Sequence, residues 1–222
     1  LLTLAVVWLA LPESHPGSDR RLHPPHVLKD YWHIARDRHF YGYILPSILS
    51  GAGLYVFLTG WPHVVIDVYN IAPQYFGFTF VLNGVGLILF SQGTARWLKH
   101  HRGQPLLMAA LAANALCGFG GLVFGMTDWG GILGLIPWMF LFCSLMGSIN
   151  PTAAGLTMHH FGHCAGMASA LIGIFLYGGG TIASMAMGSF TARTPIPMTA
   201  LIAGFGITGF ITYLLFRPAE AR

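Results

Sequence analysis

The 222-residue chain is 55% hydrophobic and only 8% charged, with a formal net charge of +4. A water-soluble domain carries roughly 25% charged residues, so the composition excludes a surface built for water and makes lipid the natural solvent. No basic run is interleaved with aromatics on a soluble module, which excludes nucleic acid as a partner.

The chain begins with an apolar run, Leu1–Leu11. Eleven helical residues reach only ~16 Å, about half of a ~30 Å hydrocarbon core. A signal peptide would want a basic leading region and a small-residue cleavage site, and this run has neither. It is expected to be the end of an earlier span. Pro12–His39 follows as a polar, basic loop. Six uncharged segments of spanning length come next, near 40–60, 75–95, 105–126, 131–149, 165–190 and 197–216. All are apolar on every side, without strand-like alternation, so the chain is expected to be an all-α integral membrane protein of six transmembrane helices over 40–216, with a short tail at 217–222. Glycine is abundant, at 29 residues, as suits helices that approach closely in lipid.

Lys and Arg set an expected orientation. Arg20, Arg21, Lys29, Arg36 and Arg38 lie in the first loop, Arg96, Lys99 and Arg102 in the second, and Arg217 and Arg222 in the tail. With six spans these regions share one side and hold ten of the eleven basic residues, leaving only Arg193 opposite. The positive-inside bias places the long loop and the C-terminus in the cytoplasm.

The seven acids, Glu13, Asp19, Asp30, Asp37, Asp67, Asp128 and Glu220, fall outside the six segments, as do all eleven histidines. The interior is left with Asn83, Gln92, Asn114, tyrosines and small hydroxyls. A proton relay needs a titratable group, and none is expected here. "MHHFGHC" gathers His159, His160, His163 and Cys164, but no carboxylate is near, so no metal site is expected. Cys117, Cys143 and Cys164 read as small buried apolar residues. Ser148 and Ser169 could be nucleophiles of an intramembrane hydrolase, but no mid-span histidine is available as their base. The chain is therefore expected to be no enzyme and to need no cofactor. The spacings Gly121/Gly125, Gly180/Ser184/Gly188 and Ala200/Gly204 predict close helix packing.

Several blocks resemble one family. "LPES" closing a span, "RDRHFYGYIL" opening the next, "FLTGWPHVVIDVYNIAPQYFGFTFVLNGVGLI" and "INPTAAGLTMHHFGHCAGMASALIG" are similar to the C-terminal half of the Bcr/CflA-type drug/proton antiporters of the major facilitator superfamily. Departures from the family pattern are the order Asn150-Pro151 at the expected start of a loop, Met167 for a serine, Leu176 for a glutamine, and Trp61 before Pro62.

The resemblance implies spans seven to twelve of a twelve-span exporter in the bacterial inner membrane, arranged as two inverted three-helix repeats. Leu1–Leu11 would be the end of span six and Pro12–His39 the cytoplasmic loop between the halves. The implied partners are amphipathic drugs, protons, the bilayer and an N-terminal half that carries the coupling carboxylates. The implied cavity residues are Tyr43, Tyr55, Asn83, Trp138, Phe142, Ser169 and Tyr177. A metabolite carrier on the same fold, or a self-contained six-helix intramembrane enzyme, are the alternatives.

Overall fold

The computed structural model describes residues 31–32, 34, 36–161, 164–190 and 194–217. The expected span end at Leu1–Leu11, most of the expected loop at Pro12–His39, His163, Arg193 and tail residues 218–222 lie outside the described residues. Among the described residues, six helices are long and apolar enough to cross a membrane. They are α1 (Arg38–His63), α2 (Pro73–Trp97), α3 (Gly103–Thr127), α4 (Gly131–His160), α5 (Ala165–Gly188) and α6 (Ile196–Phe216). The expected all-α membrane bundle is what the chain forms.

Local sequence explains the boundaries. Pro73 opens α2 at its first turn, where a missing N–H breaks no helical bond. Between α3 and α4 the chain reverses through three residues of positive φ, Asp128 (48°), Gly130 (79°) and Gly131 (57°), a conformation that glycine adopts without a Cβ clash. After Pro62 the helix widens into one π-helical turn, Val64–Val68, and the Tyr69 N–H reaches back to the Val64 carbonyl at 3.1 Å.

Two helices run well past their apolar segments. α1 and its π turn continue through His63 and Asp67, which pair at 2.8 Å, and α4 continues to His160. His63, Asp67, His159 and His160 therefore stand on terminal helical turns rather than outside the spans, because polar side chains at helix ends can reach headgroups and water. Asn150-Pro151 begins no loop. It lies inside α4, where the Ser47 hydroxyl donates to the Asn150 side-chain oxygen at 2.9 Å and ties α1 to α4.

The helices form two layers. The front layer runs α5–α1–α4–α2, and behind it α6 packs on α1, α3 packs on α4, and α3 and α6 pack on each other. Exchanging α1, α2, α3 for α4, α5, α6 leaves this set of principal neighbours unchanged. An odd number of spans per unit makes the second unit antiparallel to the first, so the relation is that of inverted repeats. In the central apolar stretch of α1, 67% of residues are buried, against 6% in α2 and 22% in α5, so α2 and α5 are the flanks.

Small residues make the interfaces. A Cβ on Gly118 of α3 would come within 3.1 Å of the Ala203 backbone of α6, and one on Gly147 of α4 would collide with the Leu87 carbonyl of α2. Gly121 and Gly125 lie against Met139 and Thr199, as close packing predicts. Ala200 and Gly204 instead face out of the bundle.

One polar tie joins two connections outside the spans. The Tyr69 hydroxyl, just after the π turn, donates to the Asp128 carboxylate at 2.8 Å. Burial, then the Asp128 hydrogen bond and charge, push the phenol up to about 12. Its folded value lies above its unfolded value, so the bond contributes fully below about pH 10 and is lost as pH rises through about 12. Because the pair is partly solvated, Tyr69→Phe is expected to lower stability by roughly 0.5–1 kcal/mol at pH 8. Thermal melts in detergent check this. The gap between parent and variant is expected to narrow from pH 10 upward, and a gap independent of pH would remove the role given to this bond.

Candidate functional site: the open face of the front layer

The front layer presents a face formed by α5, α1, α4 and α2. Tyr55 of α1 lies with its ring over Gly180 of α5, and the missing side chain there makes the room. Tyr177 stands one turn before Gly180 on α5 and is 65% exposed. Below them runs a seam of neutral hydroxyls. Thr59 donates to Ser184 at 3.0 Å, and Ser184 to the Tyr55 carbonyl at 3.4 Å. The structure thus brings Tyr55 and Tyr177 together on the α1–α5 boundary.

Asn83 occupies the opposite flank. Its amide nitrogen donates to the Thr79 carbonyl at 2.7 Å, while its buried side-chain oxygen has no hydrogen-bond partner. A buried amide in lipid surroundings is unfavourable unless its groups are paired, so Asn83 is the polar position of this flank. The Thr79 hydroxyl accepts from the Trp61 indole at 2.9 Å, which fixes α2 against the end of α1. Phe57, Trp61 and Phe80 form an aromatic cluster beside them, with ring centroids 5.2 and 6.0 Å from Phe57.

The other expected cavity residues lie elsewhere. Phe142 is fully buried, with its ring against Gly53 of α1 and its carbonyl accepting from the Asn114 amide at 3.2 Å. Ser169 is exposed in the first turns of α5 and donates to the Gly166 carbonyl at 2.9 Å. Trp138 and Tyr43 have their contacts in the back layer. The Trp138 indole lies over Gly120 and 5.6 Å from the Phe124 ring, both on α3. Buried Tyr43 accepts a hydrogen bond from Gln104 of α3, whose carbonyl accepts from Tyr213 of α6 at 3.3 Å.

Sequence reasoning missed a stripe of hydroxyls on α4. Ser144, Ser148 and Thr152 recur every fourth residue, all buried, and Ser148 accepts from Thr94 of α2 at 2.7 Å. Period-four hydroxyls within an apolar span were the available signal, because such residues share one helix face. Ser50, Ser144 and Thr152 hydroxyls and the Asn114 oxygen also lack partners. No three His, Cys, Asp or Glu side chains converge among the described residues. What this interior offers a ligand is aromatic surface and neutral hydrogen-bonding groups.

Residues 1–184 match the family model of the Major Facilitator Superfamily. The chain belongs to that superfamily. It is therefore a multi-pass membrane protein of a transporter family, and it resembles the C-terminal half of the drug/proton antiporter type. It is 28% identical to an uncharacterized MFS-type transporter, YdgK, of Bacillus subtilis over 184 residues, which cover 81% of this chain and 44% of that protein. It is 24% identical to a bicyclomycin resistance protein homolog of Haemophilus influenzae over 217 residues, covering 96% of this chain and 54% of the relative. The chain spans about half the length of the curated relatives it matches.

Proposed function

We propose that this chain is one wall of a proton-coupled drug exporter that works by alternating access, with spans seven to twelve here and spans one to six in a companion half. The observation that carries this reading is the open face itself. Tyr55 and Tyr177 offer aromatic surface with phenolic hydroxyls, and the buried Asn83 amide adds a neutral polar group on the α2 flank. An amphipathic drug with an N–H or O–H group fits such a surface, since ligand sites are mainly apolar with a few placed polar groups. Phe142 backs the face, Ser169 stands toward one end of it, and Tyr43 and Trp138 hold the front layer against the back. The name of one relative, a bicyclomycin resistance protein homolog, makes bicyclomycin the first drug to test.

Charge enters only at the ends of the described spans, so proton coupling is assigned to carboxylates of the companion half. A bacterial inner membrane follows from the resemblance, and the ten-to-one split of Lys and Arg supports a cytoplasmic loop at 98–102 and a cytoplasmic C-terminus. A single cysteine at position 99 is expected to react with a membrane-impermeant reagent only after the cells are opened. Reaction in intact cells would reverse the orientation.

The test of function is resistance. The chain co-expressed with its companion half, in cells stripped of their own exporters, is expected to raise the inhibitory concentration of bicyclomycin several-fold. Asn83→Leu and Tyr177→Phe each remove one polar contact, worth about 1 kcal/mol or roughly fivefold in apparent drug affinity. Both variants are expected to insert normally and to alter the profile across a drug panel. If both export every drug as the parent does, the open face is not the substrate surface.

A further inference from the structure

One well-defined cavity lies away from the open face. It occupies about 500 Å³ where α2 and α3 splay apart, beside the turn that joins them. Consecutive helices usually pack together, but these two have no substantial contact along their length. Leu89, Gly93 and Trp97 of α2 form one side, Leu106 and Ala109 of α3 the other, and α4 closes the floor at Leu145 and Ser148. The one polar feature of the floor, the Ser148 hydroxyl, is already engaged by Thr94 at 2.7 Å. The groove therefore asks for an apolar occupant. A Cβ on Gly93 would meet nothing within 4 Å, so the space reaches the α2 backbone.

The rim at one end is basic. Arg96 lies in the last turn of α2, three residues after Gly93 and seven after Leu89, on the helix face that lines the groove. Lys99 and Arg102 follow in the connecting turn. All three are exposed, and among the described residues none of them is in an ion pair. Trp97 stacks on His101 at 4.3 Å at the same end, as an indole placed at a membrane interface does. Apolar space at membrane depth thus runs into three unpaired cations at the membrane surface.

We propose that this groove binds one anionic phospholipid, with an acyl chain between α2 and α3 and the phosphate at Arg96, Lys99 and Arg102. The site depends only on membrane residence and not on what the protein transports. An occupant filling the splay would brace α2, which is otherwise the least buried helix of the bundle. Charge supplies the selectivity and the groove supplies the fit, so the two are separable by mutation.

The test uses the purified full chain in mixed micelles, with Trp97 fluorescence quenched by phospholipids brominated on the acyl chain. Trp97→Phe gives the background from the other tryptophans. Brominated phosphatidylglycerol is expected to bind on the order of tenfold more tightly than brominated phosphatidylcholine, and Arg96→Gln/Lys99→Gln/Arg102→Gln to bring the two within about twofold. Inorganic phosphate is expected not to displace the lipid, which separates a phospholipid site from a free-phosphate site. Gly93→Leu, whose Cβ meets nothing within 4 Å and whose side chain extends into the groove, is expected to abolish Trp97 quenching by both lipids while leaving the gel-filtration profile unchanged. Equal quenching by the two lipids in the parent would overturn the proposal. So would a preference that survives in the triple variant, displacement by phosphate, or undiminished quenching in Gly93→Leu.

Discussion

Reconstituted alone in liposomes under an imposed pH gradient, the 222-residue chain is expected to accumulate no drug above protein-free vesicles. The helices can insert, because each satisfies its own backbone hydrogen bonds in lipid. They can also pack, because glycine contacts such as Gly118 on Ala203 and Gly125 on Thr199 are internal to the six spans. Two requirements of gradient-driven export are not met by these spans. Alternating access needs a second wall for the front layer to rock against. Proton coupling needs a readily titratable group at membrane depth, and the described Asp, Glu, His, Lys and Arg residues stand at helix ends or in turns. Co-reconstitution with a six-span companion is expected to restore accumulation. Transport by the chain alone, persisting at dilutions where no dimer forms, would overturn the half-transporter reading and the placement of coupling in the companion.

Gly147→Leu is expected to detach α2 from the bundle. The α2–α4 interface is the main attachment of α2, and at Gly147 the two backbones meet with no room for a side chain. A leucine there strikes the rigid Leu87 carbonyl rather than a side chain that can turn aside. The cost is expected at about 3 kcal/mol, the upper part of the range for overpacked sites. Gly84→Leu, on the outward side of α2 where a Cβ meets nothing within 4 Å, is the control and is expected to change little. Melting temperatures in detergent compare the two. Equal temperatures for Gly147→Leu and the parent would mean that α2 is not held through this contact.

The spans were legible because an apolar run without charge has few other uses in a chain of this composition. Their ends were not. α4 continues eleven residues beyond Ile149, through Asn150 and Pro151, because Thr152, Ala153 and Thr157 are buried against the bundle and Asn150 accepts from Ser47. Those are tertiary facts, and a proline inside the pattern argued for a boundary. Tyr55 and Tyr177 could be chosen as aromatics in the spans, and the spacing marked Gly180 for close packing, but it did not say that the Tyr55 ring is what lies there. Trp138 carried the same appeal one position after Pro137, yet helical phase turns it toward Gly120 and Phe124. Phase around a helix that is apolar on every side leaves no trace in hydropathy.

The layered packing has a consequence in time. α1 is the first of the six helices to leave the ribosome, and its main partner in the back layer, α6, is the last. Between His63 and Ile196 lie roughly 130 residues, so at ordinary elongation rates α1 waits on the order of ten seconds before that face can close. During the wait Ser50, which ends up buried beside Gly209 of α6, lacks its final surroundings. Synthesis of these six spans thus leaves α1 with one face uncovered until the last of them emerges. An insertase that shelters α1 until α6 emerges would cover this face during that interval.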